Sequence, residues 1–148
     1  MAKVLGVAVD GSDISNAAFE YALESLYKPG DTVVVIHVAE YHISIPAVGS
    51  SDVEKLCEEM KKRDQEIGSL TATYTNALRQ KSISGKAVRP TGGKPGEVIV
   101  KTCKEEGISH IVMGTRGLGA FQRAVLGSVS QYVLNHSSIP VTIIPKKA

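Results

Sequence analysis

The residues with the clearest chemical potential lie in Met113–Leu134, MGTRGLGAFQRAVLGSVSQYVL, which carries Gly114, Gly117, Gly119 and Gly127 and no acidic side chain. The stretch follows an apolar run and ends in a helical pattern. Glycines allow close backbone approach and positive φ. The amides that open a helix have no intrahelical partner, and the helix dipole adds partial positive charge to them. Gly127 directly precedes Ser128, Val129 and Ser130, so amides and hydroxyls together can seat a phosphate without a cluster of cations. Three readings compete: a plain turn, a dinucleotide fingerprint, or a phosphate cradle.

The dinucleotide reading fails on spacing. Gly114, Gly117 and Gly119 run G-x-x-G-x-G, the reverse of the usual order, and no acidic residue follows from Ser109 to the end of the chain. The fingerprint requires both, directly after the first strand of its unit. A P-loop is absent as well, because TGGKPGE at 91–97 has a lysine without the spacing. A turn alone would explain single glycines. Three of them upstream of Gly127-Ser128 favour the cradle. Arg116 could donate to a phosphate or sit in solvent, and Arg123 presents the same choice. The acidic partner of the cradle is Asp10, which closes the first apolar run.

These residues must be positioned by the elements around them. KVLGVAV, Lys3–Val9, predicts a buried strand, followed by a helix capped by Ser12 or Asp13 and carrying Ile14, Ala17, Ala18, Tyr21, Ala22 and Leu26 on one face. Thr32–Val38, β-branched at every position but His37, predicts a strand buried on both faces. After the polar, proline-bearing AEYHISIPAVGSS, one long helix shows an apolar face of Val53, Leu56, Cys57, Met60, Ile67, Leu70, Tyr74 and Leu78. Its charged and polar stretch Arg63–Glu66 reads either as a solvated stretch or as a bend. Gly85–Thr91 predicts a thin third strand. Pro95 to about Glu106 predicts a helix with Gly107 at its C-terminal cap. SHIVMG predicts a fourth strand ending at Gly114. A helix from Ser128 to Asn135 and the strand PVTIIP complete the order.

Strands alternating with helices imply an α/β fold: a single domain over residues 1–148, with an open parallel five-stranded sheet and helices on both faces. Right-handed crossovers put early and late strands on opposite sides of the first, giving the order 3-2-1-4-5. Ligands of such sheets gather beyond the carboxyl ends of the strands where the winding reverses. Asp10 and Gly114 are therefore predicted to share one crevice.

Composition narrows the class. With 43% apolar and 22% charged residues and a net charge of +2, the chain reads as globular, without a field that argues for nucleic acid. No apolar run approaches the ~20 residues of a membrane span, and MAKVLGVAVD enters a strand without a signal-peptide layout. The expectation is a cytoplasmic protein. Cys57 and Cys103 lack metal or disulfide partners at suitable spacing and are expected to be buried free thiols. His37, His42, His110 and His136 show no metal spacing; His37 is expected to pack within its strand and His136 to meet a helix dipole.

The spacing Gly114-x2-Gly117-x9-Gly127-Ser128 resembles the nucleotide-binding signature of the universal stress protein family, in its ATP-binding subgroup. The likeness extends over VAVDGSDIS, VIHV, SHIVMGTRG and SIPVTIIP, nearly the whole chain. It implies a Rossmann-like, adenine nucleotide alpha hydrolase-like fold. It also implies that ATP, ADP or AMP binds, with Mg²⁺ or Mn²⁺ held by the phosphates and water. Position by position, Ala8 would pack beside the adenine and Asp10 would contact the ribose or phosphate region. Val38 would recognise the adenine edge through its backbone. Gly114, Thr115, Arg116, Gly117, Leu118, Gly119 and Ala120 would wrap ribose and phosphates. Gly127, Ser128, Val129 and Ser130 would supply the amides and hydroxyls of the helix start. The resemblance further implies a homodimer through the last strand, an edge bracketed by Pro140 and Pro145. Three functions follow as expectations: a nucleotide-dependent sensor or switch, a slow ATPase with Asp10 as its one nearby carboxylate, or a nucleotide-independent dimeric interaction protein.

Overall fold

The computed structural model describes residues 2–38, 50–115 and 127–145. The order of elements is β1 (Val4–Val9), α1 (Asp13–Tyr21), β2 (Thr32–His37), α2 (Ser50–Gln80), β3 (Ser84–Val88), α3 (Pro95–Glu105), β4 (His110–Gly114), α4 (Ser128–His136) and β5 (Val141–Ile144). All strand pairs are parallel, in the order β3-β2-β1-β4-β5. The expected topology is the observed one.

Period-2 alternation inside the apolar strands builds two cores. In β2, Val33 and Val35 enter one with Leu5, Val7 and Val9 of β1, Ala18 and Phe19 of α1, and Tyr74 and Leu78 of α2. Val34 and Ile36 enter the other with Ile99 and Cys103 of α3, Ile111 and Met113 of β4, and Val133 of α4. Continuous β-branched sequence is what a strand covered on both faces needs. Phe19 and Tyr74 meet edge-to-face at 4.9 Å and 69°, locking α1 to α2.

Ser12 caps α1: its side chain accepts from the Ser15 N–H at 3.2 Å. The buried stripe of the helix is Ser15, Ala18, Phe19 and Ala22, whereas Tyr21 is exposed. The apolar periodicity had placed Tyr21 inward, because the true stripe begins on a polar residue. After Tyr21 the helix widens into a π turn, Ala22–Leu26, closed by the Tyr27 N–H on the Ala22 carbonyl at 2.8 Å.

Helix α2 is helical without interruption through the charged stretch, where Asp64, Gln65 and Glu66 are exposed, as the solvated reading expects. Its 31 residues make it about 46 Å long, against about 17–20 Å for strands of this length. Its N-terminal half therefore overshoots the sheet. Val53 is 55% exposed and Cys57 is exposed, correcting the expectation that both cysteines are buried; Cys103 is buried. The third strand is shorter and earlier than expected. Gly107, at φ +65°, follows α3 as its cap. No described helix is long and apolar enough to cross a membrane.

Candidate functional site

At the carboxyl ends of β1 and β4, where the winding reverses, lies a cavity of about 380 Å³, within the usual range for small-molecule sites. Its walls are mostly apolar. Ala8 of β1, Ile36 and Val38 at the end of β2, Ile99 of α3, Met113 of β4 and Val129 of α4 contribute. The polar wall consists of Asp10, Ser12, Ser15, Thr115 and Ser130. Three helices, α1, α3 and α4, begin around it, since in a parallel sheet every helix start follows a strand's carboxyl end. Their dipoles direct partial positive charge toward the cavity mouth.

The loop after β1 holds Asp10 in a fixed attitude. Gly11 sits at φ +85°, a conformation that favours glycine. It lets the chain fold back so that Ser12 N–H donates to Asp10 Oδ1 at 2.9 Å. Asp10 N–H donates to Ser15 Oγ at 3.3 Å, and that hydroxyl donates to the Ser12 carbonyl at 3.0 Å. Asp10 is the only titratable side chain among the described walls.

Across the cavity, Ser130 is 1% exposed and its hydroxyl donates to the Gly114 carbonyl at 3.1 Å. This bond fastens the first turn of α4 to the end of β4. Gly114 has a further reason to be glycine: a Cβ there would overlap Ile14 Cγ2 and come within 3.2 Å of the Ile14 carbonyl carbon. The end of β4 thus packs directly on the first turn of α1, which closes the cavity floor.

Of the residues singled out from sequence, Ala8, Asp10, Val38, Gly114, Thr115, Val129 and Ser130 line this one cavity. Gly127 and Ser128 open α4 without forming its walls. Arg116, Gly117, Leu118, Gly119 and Ala120 lie outside the described residues, as do Arg123 and His42. Sequence reasoning missed Val9, Ser12, Ile14 and Ser15 beside Asp10, and Ile36, Pro95, Ile99 and Met113 in the apolar wall. Ile36 was within reach, since it precedes Val38 by one strand period. Pro95 and Ile99 follow from α3 starting at the same end of the sheet.

His37 packs on the opposite face of β2, 8% exposed, and its Nδ1 has no hydrogen-bond partner among the described residues. Burial lowers its pKa, opposed by the charge of Asp10 and reinforced by Arg89. His110 Nε2 lies 2.6 Å from Thr142 Oγ1, linking β4 to β5. His136, in the last turn of α4, stacks on Tyr132 at 3.9 Å, with Nδ1 2.9 Å from the Tyr132 carbonyl. Among the described residues no cluster of three or more His, Cys, Asp or Glu could hold a metal ion.

A parallel sheet whose winding reverses between β1 and β4, with a mostly apolar crevice at that point, defines a doubly wound α/β domain. The chain belongs to the universal stress protein family, whose profile matches residues 1–145. It is 28% identical over 145 residues to the universal stress protein YxiE of Bacillus subtilis, covering 93% of this chain and 95% of that protein. A Thermus aquaticus universal stress protein is 29% identical, with 97% and 99% covered. The chain is 30% identical to the Mycobacterium tuberculosis universal stress protein Rv1996 but spans only 47% of it. Among solved structures, the hypothetical protein MJ0577 superposes with a TM-score of 0.77 at 26% identity, covering 100% of this chain and 99% of that one. An Arabidopsis thaliana universal stress protein family protein, solved with AMP bound, shares the fold with a TM-score of 0.70 at 24% identity, covering 99% and 93%.

Proposed function

We propose that this protein is a cytoplasmic, single-domain adenine-nucleotide-binding switch, with ATP, ADP or AMP occupying the cavity between β1 and β4. The observation that carries the reading is the split character of that cavity. An apolar slot of Ala8, Ile36, Val38 and Ile99 adjoins a polar wall of Asp10, Thr115 and Ser130 at the starts of α1 and α4. A purine needs the first and a ribose phosphate the second. The AMP-bound fold neighbour is in keeping with it.

In this reading Ala8 and Ile36 pack against the base, and the Val38 backbone meets its edge. Asp10 accepts from ribose hydroxyls. Thr115 and the residues Arg116, Gly117, Leu118, Gly119 and Ala120 wrap the phosphates, and Gly127, Ser128, Val129 and Ser130 supply amides to them. Asp10 is the one carboxylate among the described walls, so a divalent ion, Mg²⁺ or Mn²⁺, would be held by phosphate and water. Among the described walls no second acid or base stands beside Asp10, so the site suits binding better than hydrolysis. The same reading includes a second copy of the chain paired along β5, an edge strand joined to β4 alone among the described residues.

Calorimetric titration with ATP, ADP and AMP, with and without Mg²⁺, tests the proposal. Saturable binding of one nucleotide per chain is expected, weakened in Asp10→Ala. No heat with any adenine nucleotide would overturn it.

A further inference from the structure

The sheet has a second open edge, at β3, on the far side from β5. Among the described residues β3 pairs only with β2, from Thr32↔Ser84 to Ile36↔Val88. Such an edge carries a row of backbone donors and acceptors ready for another strand. Alongside it runs a groove of about 700 Å³, bounded on one side by β3 and on the other by the second half of α2.

The helix side of the groove is built from small residues: Gly68, Thr71, Ala72 and Thr75, spaced three and four apart on one face. The threonine hydroxyls are turned back into the helix, donating to the carbonyls of Ile67 and Thr71 at 3.1 Å. The neighbouring positions Tyr74 and Leu78 are buried in the core, so α2 is anchored to the sheet while its next face stands back from the strand edge. The result is a slot along β3 with room for an extended chain.

Its charge is one-sided. Arg79, Lys86 and Arg89 line the groove, and no acidic residue does among the described residues. Lys86 is tied to Glu106 at 2.7 Å; neither Arg79 nor Arg89 forms an ion pair among the described residues. A second copy pairing β3 to β3 would bring Lys86 and Arg89 against their own kind, which disfavours self-association here.

We infer that the β3–α2 groove is a docking site for an extended acidic segment of another protein, added as a sixth strand to the sheet. Backbone hydrogen bonds along β3 would hold the segment and the two arginines would select its charge. The site is independent of the cavity at the switch point, so it stands or falls apart from nucleotide binding.

Two eight-residue peptides test it: one alternating Glu with Val and Thr, the other with Lys in place of every Glu. Added to ¹⁵N-labelled protein, the Glu peptide should shift the amides of Ser84–Val88 and of residues 68–79, with an affinity that falls as salt rises. Arg79→Glu with Arg89→Glu should weaken it about tenfold or more and should strengthen the Lys peptide. Ala72→Trp, which fills the slot from an exposed helix position without touching the charges, should block both. Retained amide spectra show that the variants are folded. Equal affinity for the two peptides, or shifts at β5 or the switch-point cavity, would overturn the inference. So would no shift at millimolar peptide, the behaviour of an edge merely guarded by lysine, or a preference for single-stranded oligothymidine over the Glu peptide.

Discussion

Replacing Gly114 by alanine probes the contact that closes the cavity. The added Cβ would overlap Ile14 Cγ2 and press on the Ile14 carbonyl carbon at 3.2 Å. Neither neighbour yields easily: the first is a branch on Cβ restricted by χ1, the second is backbone in the first turn of α1. Backbone conformation contributes nothing to the penalty, because Gly114 is not at positive φ. The cost is therefore one of overpacking, about 1–3 kcal/mol, or a fall in Tm of about 3–10 °C for a chain of this size. Urea unfolding of Gly114→Ala, Ile14→Ala and the double variant separates this steric cost from a general one. The double variant should be more stable than the sum of the singles by about 1–2 kcal/mol, since Ile14→Ala removes the atom that is struck. A Gly114→Ala protein within ~0.5 kcal/mol of the parent, or strictly additive variants, would refute the close approach of β4 to α1.

Other consequences are equally direct. Asp31 is 3% exposed and accepts from Lys3 N–H at 2.7 Å and Lys28 N–H at 2.9 Å, with Lys3 Nζ at 2.9 Å. The hydrogen bonds from Lys3 lower its pKa from 3.8 to about 2. A depressed carboxylate stabilises the fold above its unfolded pKa. Trimmed for solvent screening at this margin of the sheet, the contribution is about 1–2 kcal/mol. It should be lost between pH 3.8 and about 2, so urea unfolding should show Asp31→Asn converging on the parent across that window. His37, lowered by burial from 6.5, contributes stability that is complete above pH 6.5 and declines as pH falls below it; thermal unfolding should show a flatter slope there for His37→Gln. Burial raises the Cys103 thiol to about 11, leaving about one thiolate in a thousand at pH 8, whereas Cys57 is exposed. Thiol titration should count one fast group in the folded protein and two in urea; two fast groups would contradict the burial of Cys103.

What the sequence disclosed, and what it did not, has physical reasons. The parallel order was readable because every strand except the thin β3 is a short apolar run between helical patterns, and because Asp10 follows the first and Gly114 ends the fourth. The site followed from topology, since a switch point gathers strand ends wherever it falls. The inward face of α1 holds the expected Ala18 and Ala22 but not Tyr21, because its stripe includes Ser15, whose hydroxyl is consumed by the Asp10 loop. Cys57 was misread because periodicity reports amphipathicity and not what lies opposite; α2 keeps its apolar stripe beyond the edge of the sheet. The walls supplied by Pro95 and Ile99 come from a helix far along the chain, and no local pattern links them to Asp10. The second groove was invisible for a like reason, as the small residues of α2 gain meaning only beside the unpaired edge of β3.

The central claim is that the crevice between β1 and β4 receives an adenine nucleotide. The most direct measurement is an amide-resolved NMR titration of the protein with ATP and AMP. The account predicts saturable shifts centred on Asp10, Val38, Gly114, Thr115, Val129 and Ser130, with β3 and the second half of α2 unmoved. Shifts centred elsewhere, or none at millimolar nucleotide, would contradict it.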